Sequence, residues 1–196
     1  MDKIYFVTSN KGKIKSLQEQ FKTHNIDIEV EGVNLNIIEP QADTVKEVSI
    51  IKAKEAFEIL KAPIIVEDGG FCIDELKGFP GVYSKYILET IGAQGLLDIM
   101  RGKENRNCGF VSCTTFIDQN GKAHQFERLG GRGLLTEKMS ETKSEMAWSE
   151  LWKIFYAPQL DKVLCEASKE ELLNWWKDKS QKSSVTVFVE WLKDQS

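Results

Sequence analysis

The chain has 196 residues, 41% hydrophobic and 29% charged, with a net charge of −4. That length suits one domain with a sizeable core, and the acidic balance argues against a protein that lives on the phosphate backbone of nucleic acid. No apolar run approaches the roughly 20 residues a membrane span needs, and "MDKIYFVTSN" lacks the features of a secretory leader, so a cytoplasmic protein with no membrane partner is expected.

Elements follow in chain order. "KIYFVTS" reads as a strand. "NKGKIKSLQEQFKTH" reads as a helix with Ile14, Leu17 and Phe21 on its apolar face and Asn10 at the N-cap. "IDIEVEGV" alternates as a strand does. "DTVKEVSIIKAKEAFEILK" predicts a strong helix with Ile50, Ala53, Phe57 and Leu60 as its stripe and Lys52 off it. "PIIVE" reads as a third strand and "FCIDEL" as a fourth. "VYSKYILETIG" and "AQGLLDIM" read as helices. "CGFVSCTTFID" is a long strand, and the Asn-Gly of "QNGK" predicts that "AHQFERL" pairs back antiparallel. "GGRGLL" then starts another strand. From Trp148 onward helical patterns dominate and end on "VTVFVEWLKD". The whole is a single mixed α/β domain spanning 1–196, with a partly antiparallel sheet.

Four stretches carry candidate chemistry. "VTSNKGKIK" brings Thr8, Ser9 and Asn10 to a helix N-terminus, where the helix dipole favours anions, and adds Lys11 and Lys13. "IIEPQADTVKEVSIIKA" offers Glu39 in extended backbone before Pro40, with Lys52 inside the helix. "VEDGGF" sets Glu67 and Asp68 side by side at a strand end. Two such carboxylates repel unless a cation is near, and Mg²⁺ with its oxygen ligands is one solution. "GFPGVYSKY" is a turn followed by Lys85. Alone, each is also what a capped helix, a solvated lysine or an acidic turn looks like. Together they put cation-holding and phosphate-holding groups at strand ends and helix starts, where α/β sheets bind small ligands. The cysteines Cys72, Cys108, Cys113 and Cys165 make no C-x-x-C pair, so reduced, partly buried thiols are expected rather than zinc.

These stretches, in this order, resemble the inosine triphosphate pyrophosphatase family, whose members hydrolyse nonstandard purine nucleoside triphosphates to monophosphate and pyrophosphate. "FVTSNKGKIKSL" is similar to the family's T-x-N-x-x-K opening, placing Thr8, Asn10 and Lys13 on it. "IIEPQ" places a metal-binding glutamate on Glu39, and "SIIKA" places a lysine on Lys52. "VEDGGFCIDELKGFPGVYSKY" is similar to the central signature, with Asp68 as its essential aspartate and Lys85 as its later lysine. The likeness runs from about Lys3 to Asp118.

The resemblance implies an elongated mixed β-sheet with flanking helices, two lobes around a central nucleotide cleft, and a homodimer. It implies Mg²⁺ held by Glu39 and Asp68, catalytic roles for Asp68 and Lys13, and substrate contacts from Thr8, Asn10, Lys13, Lys52, Lys85 and Trp148. The last third departs from the family. Where the family has Phe-Gly-(Tyr/Trp)-Asp-Pro, this chain has "MAWSELW": Trp148 keeps the aromatic, while Met146, Ser149 and Glu150 stand for the Phe, Asp and Pro. The family's Ser-His-Arg has no counterpart in "WWK" or "SVT". A keto oxygen in a closed pocket needs donors, so the expectation is an enzyme with altered base preference. The alternatives are a catalytically impaired nucleotide-binding homologue and a pyrophosphatase for another base.

Overall fold

The first half of the chain alternates strand and helix. In the computed structural model, which describes residues 1–147, 149–176, 178 and 182–195, β1 (Lys3–Val7) leads into α1 (Lys11–Thr23), β2 (Glu29–Val33), α2 (Val45–Leu60) and β3 (Ile64–Ile73). Then follow β4 (Pro80–Gly81), α3 (Ser84–Thr90), α4 (Gly92–Ile99), β5 (Asn107–Ile117), β6 (Ala123–Leu135), β7 (Phe155–Ala157), β8 (Lys162–Val163), α5 (Lys169–Trp176) and α6 (Ser184–Lys193). The hydrogen-bonded strand order is β2-β1-β3-β5-β6-β7-β8, with β4 beside β3. The fold is thus the expected mixed α/β class. The chain divides into two compact units: Met1–Gly69, Ser112–Arg128 and Ser183–Ser196 make the first, and Gly70–Val111 with Leu129–Lys182 the second.

In the first unit β1 is parallel to both β2 and β3, the register pairing Ile4 with Val30, Tyr5 with Ile64 and Phe6 with Ile65. Side chains alternate along a strand, and this sorts the core into two layers. Ile4, Phe6, Ile65 and Phe116 pack with Leu17 and Phe21 of α1 and with Phe188 and Val189 of α6. Ile64, Val66 and Ile117 pack with Ala53 of α2, joined by Tyr5 and Val7. α1 and α2 therefore cover opposite faces of the parallel strands.

In the second unit Phe71, Ile73, Leu96, Met100, Trp152, Phe155 and Trp175 belong to one apolar cluster. β7 pairs antiparallel with both β6 and β8. Gly70 is required where β3 meets β4, because a Cβ there would lie 2.2 Å from the Gly81 carbonyl oxygen.

The hairpin expectation holds: Asp118 N–H donates to Lys122 C=O at 3.1 Å, and Leu135 N–H to Arg106 C=O at 2.8 Å. Numbers rising on β6 while falling on β5 make that pair antiparallel. After Trp148 helix dominates as expected, in α5, α6 and two 3-10 turns, with the short β7 and β8 added to it. Three expectations are corrected. "FCIDEL" is no separate strand: β3 continues through Ile73, and Asp74–Leu76 is a 3-10 turn. "GGRGLL" likewise continues β6. The buried face of α2 is Val45, Val48, Ser49, Ala53 and Ala56; of the expected stripe Ala53 is buried, and Phe57 and Leu60 pack partly buried against the same cluster. Small residues let the helix lie close to the sheet, and the larger apolar side chains flank that contact. All four cysteines are free thiols, with Cys108, Cys113 and Cys165 buried.

Candidate active site

The order β2-β1-β3 means that the chain leaves β1 for one neighbour and returns to the other. In open α/β sheets, ligands bind beyond the carboxyl ends of the strands at such a switch point. The carboxyl end of β1 carries Thr8 and Asn10. Continued past its last pair, the β1–β3 register carries Thr8 alongside Glu67.

Asn10 is the N-cap of α1, its Oδ1 accepting the N–H groups of Gly12 at 2.9 Å and Lys13 at 3.2 Å, and its own N–H donates to Thr8 Oγ1 at 3.1 Å. The cap occupies two of the helix's free donors, so α1 presents its dipole and its lysines here rather than a row of bare N–H groups.

Strand alternation then separates the two adjacent carboxylates. Glu67 lies on the Ile65 side, toward α1, and Lys13 Nζ sits 3.2 Å from its Oε2. Asp68 lies on the Val66 side, toward α2, and Lys52 Nζ sits 3.6 Å from its Oδ1. Both carboxylates are mostly covered, each side chain being 15% exposed. Two neighbours of like charge are tolerated because each faces a lysine from a different helix.

Lys52 has a second partner. Its Nζ donates to Glu39 Oε1 at 3.0 Å and Oε2 at 3.1 Å. One ammonium thus serves two carboxylates and stands closer to the more exposed one. The sequence pattern sets Lys52 off the apolar stripe of α2. In the fold it stands three residues after buried Ser49, on the same side of the helix, which is why its side chain is only 20% exposed. Burial raises the Asp68 carboxyl from 3.8 to about 6; Lys52 and Lys13 pull it down, and the Glu39 charge pushes it further up.

Of the site residues read from the sequence, Thr8, Asn10, Lys13, Glu39, Lys52 and Asp68 are drawn together in the first unit. Lys85 belongs to the second unit, at the start of α3, where its Nζ is 3.9 Å from Glu89 Oε1. Trp148 lies outside the described residues. Its neighbours have local duties: Ser149 Oγ accepts the Leu151 N–H at 3.3 Å, and Glu150 Oε2 accepts the Ala93 N–H at 3.5 Å. Trp152 and Trp175 are core residues, 1% and 7% exposed. Sequence reading misses Glu67 as the partner of Lys13, although strand alternation contains the signal.

Among the described residues, no three or more His, Cys, Asp or Glu side chains gather as a metal site. Glu39 and Asp68 are two hard oxygen donors already drawn to one cation. Mg²⁺ is commonly held in just that way, by one or two carboxylates with substrate phosphates and water supplying the rest. The donor chemistry fits such an ion.

Comparison with known proteins gives three results. Residues 4–175 match the model of the Ham1 family. A dITP/XTP pyrophosphatase of Methanopyrus kandleri is 31% identical over 192 residues, covering 98% of this chain and 97% of that one, and an inosine triphosphate pyrophosphatase 1 of Trypanosoma cruzi is 38% identical over 131 residues, covering 66% and 65%. The structure of the Staphylococcus aureus Ham1 protein superposes with a TM-score of 0.82 over 100% of both chains at 21% identity.

Proposed function

Because the chain belongs to the Ham1 family, we propose that it is a nucleoside triphosphate pyrophosphatase, Mg²⁺-dependent, acting on nonstandard purine nucleotides with a base preference of its own. The observation that carries this reading is the sharing of the Lys52 ammonium by Asp68 and Glu39 at the switch point of the sheet. Relatives named dITP/XTP pyrophosphatase support the substrate class.

The residues divide the work by their chemistry. Glu39 and Asp68 would hold the cation, which when bound offsets phosphate charge and polarises the attacked phosphorus. Asp68 is the group to hold and deprotonate the attacking water. Burial makes its carboxylate a stronger base than an ordinary aspartate, closer to the neutral range where general bases work best. Lys13 and Lys52 supply positive charge to the phosphates, and the α1 dipole with Asn10 and Thr8 favours the same anion. Lys85 and Trp148 are assigned to substrate binding on the resemblance alone, as are the homodimer, which sedimentation would test, and the cytoplasmic location.

The base preference is proposed to differ because Ser149 and Glu150, standing where the family has Asp and Pro, are engaged in local structure. The test is pyrophosphate release from ITP, XTP, dITP and the common triphosphates, with and without Mg²⁺, beside Asp68→Asn. Mg²⁺-dependent release from ITP and XTP that the variant loses supports the whole reading. Release only from other bases keeps the reaction and moves the substrate. Nucleotide binding without any release replaces the enzyme with a binding homologue.

A further inference from the structure

Among the described residues, a fully buried polar pair lies where α2 meets the sheet. Ser49 and Thr115 are both fully buried, and their hydroxyls meet at 2.6 Å. Gln125 closes the group: its Nε2 donates to Thr115 Oγ1 at 3.1 Å and to the Lys46 carbonyl of α2 at 2.9 Å. The Cys113 thiol lies against the same hydroxyls and is held protonated by burial. Two adjacent strands, β5 and β6, thus grip one turn of α2 by hydrogen bonds.

That turn is the one before Lys52. Elsewhere the buried face of the helix is Val45, Val48, Ala53 and Ala56, with Ala53 against Ile64, Val66 and Ile117. Apolar contacts of this kind are non-directional, so they leave a helix free to slide or rotate slightly. A buried hydrogen bond is directional, and breaking it strands its partners without water. The grip fixes the rotation of α2 about its axis three residues before the lysine whose ammonium must fall between Glu39 and Asp68.

We infer that the buried Ser49–Thr115–Gln125 network is a positioning device for Lys52, setting how well the site holds a triphosphate chain. The inference rests on the reading of Lys52 as a phosphate-site residue. None of the three touches the site's reacting groups; each acts through α2.

The test uses the whole protein with two readouts: calorimetric binding of inorganic triphosphate in the presence of Mg²⁺, and pyrophosphate release from dITP. Ser49→Ala and Thr115→Val are expected to weaken triphosphate binding about fivefold and to lower kcat/KM about tenfold. Thr115→Ser, which keeps the hydroxyl, restores both. In a Lys52→Met background Ser49→Ala has no further effect, a result that a general loosening of the fold would not give. Equal losses in both backgrounds, or no loss in either, overturn the inference while wild-type activity leaves the functional reading standing. Coupled effects on triphosphate binding without turnover of any nucleotide support the positioning and overturn the pyrophosphatase reading. A wild-type protein that neither binds nor hydrolyses overturns both.

Discussion

Glu67 and Asp68 are neighbours in sequence, carry the same charge and are equally covered, yet β3 places them in different surroundings. On the α1 face, Glu67 has Lys13 at 3.2 Å. On the α2 face, Asp68 shares Lys52 with Glu39 and has the longer contact, 3.6 Å against 3.0 Å. The first pair is compensated; the second is short of positive charge. A buried carboxylate with half a counter-ion has affinity for a further cation, and on the proposed function the α2 face is the one that holds it. One residue along a strand separates a carboxylate with a near counter-ion from one that shares its lysine.

The largest effect expected from this difference is on turnover. Asp68→Asn keeps shape and removes the charge, and is expected to lower kcat for pyrophosphate release by about 10³-fold, the scale seen when a group acting at the transition state is lost. Glu67→Gln, with its charge removed on the other face, is expected to cost less than about tenfold. Equal losses would break the comparison. Lys52→Met comes next, with kcat/KM down about 10²-fold, since the substitution strips the phosphates of a positive group and leaves two carboxylates facing each other.

Much of this contrast is legible in the amino-acid sequence. The spacing of Thr8, Asn10 and Lys13, with a strand before and a helix after, points to the β1–α1 junction, and the carboxylates at the end of "PIIVE" point to β3. The face that each side chain takes is not legible, because it depends on strand register and on which side each crossover helix packs. Lys52 shows the limit. Its helix reads as amphipathic about Ile50 and Phe57, whereas close packing selects the small residues Ser49, Ala53 and Ala56 and turns Lys52 toward the site. "FCIDEL" and "GGRGLL" show another: they read as new strands although β3 and β6 run on through Gly70 and Gly133, glycines that answer to close approach by neighbouring backbone rather than to turns.

Stability gives the next effect in size, with a defined sign. Asp68 in the folded protein titrates near 6 against an ordinary 3.8. Between those values the folded state binds the proton more tightly than the unfolded chain. Its contribution is therefore full below about pH 4, falls as pH rises to 6 and levels off above. In metal-free protein, ionising this buried group costs roughly 3 kcal/mol by pH 7. Asp68→Asn is thus expected to melt about 7 °C higher than wild type at pH 7 in chelator. At pH 4 the two should coincide. A variant less stable at both pH values would show that the Lys52 contact outweighs the burial, and that the two faces of β3 are compensated alike.

The smallest effect sharpens the α1 side. Lys13→Met removes a phosphate-site charge and also strands Glu67, so its two consequences need separating. The double substitution Lys13→Met with Glu67→Gln does so. The single variant is expected to raise KM for the triphosphate about tenfold, with a loss of stability of about 1 kcal/mol, because the contact is partly screened by solvent. In the double variant the stability returns, since no buried charge is left unpaired, while the KM stays high. If KM also returns, Lys13 serves only to neutralise Glu67, and the α1 face contributes the helix dipole and Asn10 to the anion but no lysine. Lys85→Ala, tested beside it, is expected to raise KM by no more than about threefold, because that lysine is largely exposed and rests on Glu89 in its own helix.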